Sequence, residues 1–324
     1  MRILIAGGFG CIGGRLAQHL AHVGHHVLLG SRVPRRPPDW LPTADVGLLD
    51  WGSVDVMAQL CHGFDVVIHA AGMNAQLSAA DPVAALEVNG LATARLLDAA
   101  VKGSVKRFIY FSTAHVYASP LVGTVSEENS TVNPHPYATS HVAGENAVMT
   151  ARSQKKIEGI VLRLSNAFGA PTHEAVNCWM LLVNDLCRQA VMTGTMTLTS
   201  SGSQLRDFIP MGRVCRIVDS VSNFAVMAQV PDILNVGSGV SQSVLEMAKL
   251  IQSRCLQTLG FEPSLRWPKS TDEPTTDKLV YKTERMQKLE MQYKVDPRVD
   301  FLLEIDRLLL FCRIFKQENQ RSAF

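Results

Sequence analysis

Hydroxyl groups and a tyrosine–histidine pair stand where proton transfer to an alcohol or sugar oxygen would need them. Ser112 and Thr113 follow the apolar run of residues 107–111. They are therefore placed at the carboxyl end of a buried strand, where open parallel sheets bind ligands. Tyr137 and His141 are four positions apart at the start of a predicted helix and project from one face of it. A hydroxyl can hold a substrate oxygen while a tyrosine, its pKa lowered by a cationic neighbour, moves the proton.

The first residues of the chain predict where a hydride-carrying dinucleotide would bind. Residues 2–6 are apolar and rich in β-branched side chains, which is typical of a buried parallel strand, and residues 14–20 have a helical pattern. Between them, Gly7 permits a tight turn, Gly10 lets the backbone approach a pyrophosphate, and Gly13 lets the helix pack closely. The helix N-terminus attracts phosphate. This strand–turn–helix context favours a nicotinamide dinucleotide site over a glycine-rich turn of another α/β protein.

The end of the second predicted strand indicates which dinucleotide is preferred. An acidic residue about 20 residues past the glycines would accept from the ribose 2′-hydroxyl and mark NAD. Here the chain has Ser31 and Arg32, with Arg35 and Arg36 close behind. No carboxylate repels a 2′-phosphate, and Arg32 could pair with one; alternatively, these arginines only solvate a proline-rich loop. We expect NADP or NAD, with NADP preferred.

Other residues are assigned to the cofactor by their place after the strands. Small residues at positions 70–72 leave room for a cofactor over the sheet edge. Asp50 is placed to accept from the adenine amino group, or alternatively caps the next helix. Asn89, within a predicted helix, needs a hydrogen-bonding partner, whereas His69 is expected to be a packed core residue. Outside the catalytic set, the predicted cofactor contacts are Gly7, Gly10, Cys11, Ile12, Gly13, Ser31, Arg32, Asp50, Trp51, Ala70, Ala71, Gly72 and Asn89.

Alternating strand and helix patterns predict an α/β fold with a doubly wound parallel sheet of the Rossmann type. The further predicted elements of the first half are strands at 46–49, 64–72, 107–111 and 159–164, and one long helix from an Asp81 cap to residue 100. Those of the second half are helices at 175–191, 214–228 and 241–259, strands at 196–199 and 232–237, and a terminal helical pair. We expect a dinucleotide-binding domain over residues 1–165, with a returning strand near 207–240, and a smaller mixed α/β substrate-binding lobe over 166–324.

Bulk properties narrow the class of protein. The 324 residues are 47% hydrophobic and 19% charged, as in a globular enzyme, and a net charge of +2 favours neither nucleic acid nor membrane as a partner. The seven cysteines are odd in number and form no CxxC pair, which predicts buried thiols in a reducing compartment. We see no signal peptide or membrane-span pattern. A cytoplasmic protein without a metal site is expected.

Taken in order, the motifs resemble those of the extended short-chain dehydrogenase/reductases, specifically the nucleotide-sugar epimerase/dehydratase group. The resemblance covers almost the whole chain. Its motifs are the glycines, residues 67–72, Asn89, residues 112–117, residues 136–145, Arg163 to Gly169, Arg206 to Ile209 and Asn235 to Gly239. The resemblance implies that Thr113 is the substrate-side hydroxyl, that Tyr137 is the general acid/base, and that Arg206 holds the nucleotide diphosphate. It also suggests Asn166 and Asn177, with Trp179, as substrate contacts, and a homodimer is expected.

Two departures from the family pattern bear on the reaction. The family has lysine where this chain has His141, which is shorter and, at its ordinary pKa, largely neutral at cell pH. Either imidazole replaces ammonium in a working site, which we prefer, or the chain is a catalytically silent NAD(P)-binding protein. Family dehydratases have Asp-Glu after the threonine, whereas this chain has Ala114 and His115. Dehydration is therefore disfavoured, so epimerisation or keto-sugar reduction remains, and His115 is interpreted as a surface-loop residue rather than a substrate contact.

Overall fold

A computed structural model describes residues 1–223, 231–268, 278–290 and 297–321. Its strands are β1 (Arg2–Ala6), β2 (His26–Ser31), β3 (Asp45–Leu48), β4 (Val66–His69), β5 (Arg107–Thr113), β6 (Gly123–Val125), β7 (Glu158–Leu164), β8 (Asn166–Phe168), β9 (Thr195–Thr197), β10 (Leu205–Pro210), β11 (Ile233–Val236), β12 (Ser241–Ser243), β13 (Ser264–Arg266) and β14 (Leu279–Tyr281). Its α-helices are α1 (Cys11–His22), α2 (Val54–Cys61), α3 (Ala75–Ala80), α4 (Pro82–Ala85), α5 (Ala92–Lys102), α6 (Pro136–Ser153), α7 (Leu182–Thr193), α8 (Met211–Ser222), α9 (Val244–Leu259), α10 (Glu284–Glu290) and α11 (Pro297–Arg321).

Seven parallel strands form the main sheet, in the order β11-β7-β5-β4-β1-β2-β3. Helices cover both faces, which is why all seven residues of β5 are buried. The predicted doubly wound parallel sheet is confirmed. Strand order reverses between β1 and β4, so a crevice opens at their carboxyl ends, where such sheets bind ligands.

The prediction of one regular α-helix from Asp81 to residue 100 is wrong for the middle of that segment. The Asp81 side chain does cap the first turn, accepting from the Ala84 N–H at 3.0 Å. Helix α4 ends after one turn, however, and Leu86–Leu91 form a π-helix before α5 begins. Such widened turns are rare and concentrate at functional sites. This one contains Asn89.

Other helix boundaries differ from the sequence-based expectation. The first helix of the second half begins at Leu182 rather than at residue 175, because residues 173–181 form turns. The helix expected from residue 241 begins at Val244, since Ser243 and Glu246 form a capping box. The helix predicted over residues 214–228 is helix α8, which covers Met211–Ser222. Positions 224–228 of that prediction lie outside the described residues.

The last helix ties the second half of the chain to the dinucleotide half. Glu304 of α11 is almost fully buried and accepts from the Arg15 guanidinium of α1 at 2.6 and 3.0 Å. The same carboxylate accepts from the backbone N–H groups of Ala170 at 3.3 Å and Gly212 at 3.2 Å. One side chain therefore joins four segments. Within the described ranges, no helix is both long and apolar enough to cross a membrane.

Candidate active site

The glycine turn after β1 is packed so tightly that side chains are excluded. Gly7 has a φ of +85°, and its carbonyl accepts from the Gly10 N–H at 2.9 Å. A Cβ on Gly13 would lie 2.2 Å from the Gly7 oxygen, and one on Gly7 would lie 2.6 Å from the Ala71 nitrogen. The turn therefore keeps bare backbone and the first N–H groups of α1 at the sheet edge. This cradle fits a dinucleotide pyrophosphate.

Asn89 connects the β4 exit loop to the helix that carries Tyr137. Its side-chain oxygen accepts from the Met73 N–H at 2.7 Å, and its amide donates to the Ser140 hydroxyl at 3.0 Å and the Met73 carbonyl at 3.3 Å. The buried asparagine thus has the partners that its position required. Next to that loop, Ala70 and Ala71 are half-buried and Gly72 is exposed, so the loop edge stays open above the sheet.

Tyr137 and Thr113 meet at the carboxyl end of β5. Helix α6 begins with Pro136, and the His135 Nδ1 accepts from the Tyr137 N–H at 3.1 Å, which fixes the direction of the first turn. Burial raises the pKa of the Tyr137 phenol, and the neighbouring Thr113 side chain opposes this rise only in part. Tyr137 is therefore a protonated group in this site.

His141 lies beside Tyr137, with ring centroids 4.6 Å apart and an interplanar angle of 76°. It is 5% exposed, and its Nδ1 is 2.9 Å from the Tyr110 hydroxyl. The opposite edge of the ring faces Gly72: a Cβ there would lie 3.8 Å from Cε1 and 4.0 Å from Nε2. Burial, together with neighbouring His69, lowers the pKa of His141 to about 3. The position holds a neutral imidazole.

His115 flanks Tyr137 from another direction, and its interpretation as a surface-loop residue is wrong. It lies in a 3₁₀ turn over Ala114–Val116, half-buried, with its ring centroid 6.4 Å from that of Tyr137. Burial, Arg206 and His135 all lower its pKa. Neither ring nitrogen has a hydrogen-bond partner in the described part of the chain. Its neutral ring is therefore available to a ligand, which its place two residues after Thr113 could have signalled.

A buried ion pair supports the hydroxyl end of β5 from below. Glu145 of α6 and Arg163 of β7 pair at 2.6 Å with side chains 4% and 6% exposed. Glu145 also accepts from the Ser112 hydroxyl at 2.5 Å, and Arg163 donates to the Tyr117 hydroxyl at 2.9 Å. Tyr117 in turn donates to Asn235 of β11 at 2.7 Å. The network joins α6, β5, β7 and β11, so it holds Thr113 and Tyr137 in register.

The predicted substrate residues fall into different environments. Arg206, half-buried beside His115, donates to Gln204 at 2.9 Å and has no carboxylate partner among the residues that the structure describes. Burial lowers its pKa, as expected for a cation whose counter-ion would be a ligand. Asn166 donates to the Asp207 carbonyl at 2.9 Å, which gives it a structural partner, and Asn177 is exposed. Trp179 lies under the Arg188 guanidinium at 5.0 Å.

The predicted adenosine-side residues lie along the ends of β2 and β3. Ser31 is buried and Arg32 is exposed. The Asp50 carboxylate accepts from the Gly52 N–H at 2.9 Å, and Ser53 caps α2, so the capping alternative for Asp50 is wrong. The Trp51 ring is 6.1 Å from that of His69. His69 is buried as predicted, and burial lowers its pKa to about 4.

From the sequence, Arg35 was expected only to lie close behind Arg32 in a proline-rich loop. In the structure its side chain lies over the glycine turn. Its guanidinium carbon is 4.8 Å from the centroid of the Phe9 ring, and Phe9 belongs to that turn. Cys11 and Ile12 open α1 immediately after Gly10, both half-buried. Within the described residues, no group of three or more His, Cys, Asp or Glu side chains is placed to hold a metal ion.

A seven-stranded parallel sheet with this glycine turn and a Thr–Tyr pair at its carboxyl edge defines a dinucleotide-binding protein of the extended short-chain dehydrogenase/reductase class. The sequence model of the NAD dependent epimerase/dehydratase family matches residues 3–237 of this chain. The chain belongs to that family, and the resemblance drawn from its motifs is confirmed.

Relatives of this chain are named for different reactions. The chain is 28% identical over 256 residues to a dTDP-6-deoxy-L-talose 4-dehydrogenase (NAD(P)(+)) of Kitasatospora kifunensis, covering 77% of this chain and 78% of that protein. It is 27% identical over 258 residues to a putative UDP-glucose 4-epimerase of Methanocaldococcus jannaschii, covering 77% and 81%. Among solved structures, MoeE5 in complex with UDP-glucose and NAD matches with a TM-score of 0.74 and 22% identity over 100% of both chains. At that identity the match shows the fold alone.

Proposed function

We propose that this protein is an NAD(P)-dependent enzyme that acts on a nucleotide-diphosphate sugar, as an epimerase or a keto-reductase, with Tyr137 as acid/base. The observation that carries the proposal is the grouping of Tyr137 with His141, their ring centroids 4.6 Å apart, and with Thr113, whose side chain lowers the pKa of the phenol, at the sheet edge beside the glycine turn. Arg206 supports it, because a half-buried guanidinium without a carboxylate suits a diphosphate. When bound, the dinucleotide supplies or accepts the hydride.

The protonation of Tyr137 makes reduction of a keto sugar the favoured direction. Reduction requires a proton donor at the carbonyl oxygen, and a phenol with a raised pKa stays protonated and so carries the proton to be given. Epimerisation begins with oxidation of an alcohol, for which the tyrosine must first act as a base. In this proposal Thr113 holds the reacting oxygen in either direction, and His115, whose ring centroid is 6.4 Å from that of Tyr137, is assigned to contact the sugar.

The neutral state of His141 favours a second candidate, a catalytically silent NAD(P)-binding protein. Without a cation beside Tyr137, the Thr113 side chain is the one group among the described residues that lowers the pKa of the phenol. A site that binds a dinucleotide but does not turn over would then serve regulation. The two candidates differ in turnover and agree in binding.

A screen separates them. The protein is incubated with keto and hydroxy nucleotide sugars, each with NADH, NADPH, NAD or NADP, and nicotinamide absorbance and sugar products are followed. Turnover of a keto sugar with reduced cofactor supports the reductase, and interconversion of two sugars with oxidised cofactor supports the epimerase. Tight dinucleotide binding with no turnover of any sugar supports the silent protein.

A preference for NADP is proposed on the charges around the adenosine end. Arg32 is exposed at the end of β2, and Arg35 is held over Phe9 of the glycine turn, so two guanidinium groups border the place for a 2′-phosphate. Asp50, the nearest predicted carboxylate contact, is engaged by the Gly52 N–H. This charge distribution favours the additional phosphate of NADP.

A homodimer through the helical face of α3, α4 and the π-helix is proposed on its exposed apolar side chains. Leu77, Val83, Leu86 and Leu91 are 47–69% exposed and follow one another along these segments. Large apolar side chains left exposed on neighbouring helical segments are a feature of protein interfaces. Light scattering should give twice the chain mass, and Leu86→Glu should give a monomer; a monomeric parent would contradict the proposal.

A further inference from the structure

A series of hydrogen bonds joins the turn that carries Thr113 to the first turn of α6, which carries Tyr137. The Thr113 hydroxyl oxygen accepts from the His115 N–H at 3.1 Å, and the His115 carbonyl accepts from the Asn133 side-chain amide at 2.7 Å. The Asn133 side-chain oxygen accepts from the His135 N–H at 3.0 Å, and the His135 Nδ1 accepts from the Tyr137 N–H at 3.1 Å. Asn133 therefore lies at the centre of the connection.

The two side-chain bonds of Asn133 require a group that both donates and accepts. One partner is a carbonyl oxygen, which needs a donor, and the other is an N–H group, which needs an acceptor. The primary amide of asparagine supplies both. An aspartate would keep the bond from the His135 N–H, but its second oxygen would face the His115 carbonyl oxygen, and two acceptors repel each other. The Asn133 backbone N–H adds a bond to the same turn, at 3.4 Å from the Val116 carbonyl oxygen.

Two prolines stiffen the short segment between Asn133 and Tyr137. Pro134 and Pro136 have fixed φ angles and favour an extended backbone at the residues that precede them. His135 accordingly has a φ of −61° and a ψ of 136°. A displacement at Asn133 is therefore passed on to the start of α6, because the segment between them has little freedom to absorb it.

The same bonds decide how the Thr113 hydroxyl can donate. Its oxygen accepts from the His115 N–H, so the hydroxyl hydrogen is left for an acceptor outside that bond. The proposed mechanism needs this hydrogen at the reacting oxygen of the sugar. Tyr137 lies beside the same turn, with its ring centroid 6.4 Å from that of His115. The distance between the turn and the phenol is thus what the series of bonds controls.

We propose that Asn133 is a positioning residue that holds the Thr113 hydroxyl and the Tyr137 phenol at the spacing and direction that proton transfer requires. It acts through the backbone of His115 on one side and through His135 on the other. The bond to His115 spans 18 positions of the sequence, so the segment before α6 is tied directly to the carboxyl end of β5. This role rests on the proposed function of the site.

The chain offers a matched control in the same connecting segment. The Asn129 side chain accepts from the Ser126 N–H at 2.6 Å, but Asn129 is exposed, and none of its side-chain bonds in the described part of the chain reaches the Thr113 turn or α6. Asn129→Ala therefore removes an asparagine side chain without breaking the series. Asn133→Ala breaks both side-chain bonds of the series, and Asn133→Asp breaks the bond to the His115 carbonyl.

The first measurement needs no substrate. Tyrosine labelled with ¹³C at the ζ carbon is incorporated into the full chain, and Tyr137→Phe identifies the Tyr137 signal among those of the five tyrosines. We expect Asn133→Ala and Asn133→Asp to shift this signal and Asn129→Ala to leave it in place, with urea unfolding showing that each variant is folded. A Tyr137 signal that is unchanged in both Asn133 variants, or that moves equally in Asn129→Ala, would overturn the proposal.

The second measurement is steady-state kinetics on a nucleotide sugar that is turned over in the screen. Asn133→Ala should lower kcat by about 10²-fold, because misplacing a reacting group by about 1 Å has an effect of that size, and KM should stay close to that of the parent. In a Thr113→Val background there is no hydroxyl left to position, so adding Asn133→Ala should lower kcat little further. A change in KM without a change in kcat, or losses that multiply in the double variant, would overturn the positioning role.

The two measurements separate failure of this proposal from failure of the proposed function. If no nucleotide sugar is turned over, the proposed function fails, and the tyrosine spectra still decide whether Asn133 sets the position of Tyr137. If the parent turns over a sugar and Asn133→Ala has the same kcat, the enzyme is confirmed and the role of Asn133 is overturned.

Discussion

Tyr137 is surrounded by imidazoles that differ in what they can reach. His141 is enclosed, with one nitrogen on Tyr110 and its other edge toward Gly72, and His115 has both ring nitrogens without a protein partner. Both rings are neutral because burial opposes their charge. Under the proposed mechanism, proton transfer would therefore depend on the phenol and on the small hydroxyl of Thr113, because no cation among the described residues lowers the pKa of the phenol.

Removing the phenol tests this dependence directly. Tyr137→Phe should lower kcat by about 10²–10⁴-fold, because general acid–base catalysis contributes on that order. Dinucleotide affinity should stay close to that of the parent, since the glycine turn is unchanged. Steady-state kinetics and a fluorescence titration check both parts. A Tyr137→Phe variant with parental kcat would show that another group transfers the proton.

Position 141 offers a gain-of-charge experiment. His141→Lys should preserve or raise kcat at pH 8, because an ammonium beside Tyr137 lowers the pKa of the phenol. His141→Ala should lower kcat while leaving the fold intact. Since burial lowers the pKa of His141 to about 3, protonation of this ring should not shape the parent's rate between pH 5 and 8. A pH–rate profile of the three proteins is the measurement; equal rates for the parent and His141→Ala would make this position a bystander.

Arg32 tests the cofactor preference. Arg32→Ala should weaken NADP binding by about 1.5–3 kcal/mol, the usual contribution of a charge-assisted hydrogen bond, and leave NAD binding nearly unchanged. Arg35→Ala is the matched variant, because Arg35 stacks on Phe9 and also borders the proposed position of the 2′-phosphate. Calorimetric titration of each variant with NAD and with NADP gives the comparison. Equal loss for NAD and NADP in Arg32→Ala, or a parental preference for NAD, would contradict the assignment.

At the scale of elements, the sheet was predictable and the helix interiors were not. Apolar β-branched runs alternating with helical patterns predicted the strands of the parallel sheet, since strands covered on both faces are continuously hydrophobic. The π-helix at Leu86–Leu91 shows no such pattern, and its Asn89 side chain contacts Met73 and Ser140, which are 16 and 51 residues away in the sequence. Local composition does not encode contacts between distant segments.

The same limit applies to the candidate site. Spacing predicted that Thr113, Tyr137 and His141 stand at one edge, and the structure brings them together. It did not predict how deeply His141 is buried or that His115 faces the same phenol, because both depend on how α6 packs against β5 and β7. Burial is a property of the assembled elements.

The ion pair between α6 and β7 should be a main source of rigidity beneath the site. Glu145→Gln should destabilise the protein by about 3–5 kcal/mol, because it leaves the buried Arg163 charge uncompensated. Asp55→Asn is the control: its pair with Lys102 is exposed, and such pairs contribute about 1 kcal/mol or less. Urea unfolding of the two variants gives the comparison. Similar losses for both would show that the Glu145 network carries little stability.

For the whole molecule, two buried neutral histidines should make stability depend on pH. Burial lowers the pKa of His69 to about 4 and that of His141 to about 3, below the ordinary value of about 6.5 in the unfolded chain. Between these values the unfolded chain binds more protons, so stability falls as the pH falls, by about 1.4 kcal/mol per pH unit for each histidine. Above about pH 6.5 this contribution is constant.

His69→Phe removes one of the two groups at little structural expense, since neither ring nitrogen of His69 has a hydrogen-bond partner. The variant should lose less stability than the parent between pH 7 and 5, and should differ from it by a constant amount above pH 7. Denaturant unfolding at a series of pH values is the measurement. An unchanged slope would show that His69 is protonated in the folded protein.

The contacts of Glu304 have a consequence for how the protein is made. The ribosome synthesises α1 early and α11 after every other described element, yet the Arg15 guanidinium of α1 meets its carboxylate on α11. While the chain is still growing, Arg15 and the N–H groups of Ala170 and Gly212 lack this partner. The nascent N-terminal half can form its strands before α11 exists, but Arg15, one turn after the glycines, gains its carboxylate partner only when α11 has docked on α1. We therefore expect the packing around the glycine turn to be completed late in folding, after α11 has been synthesised.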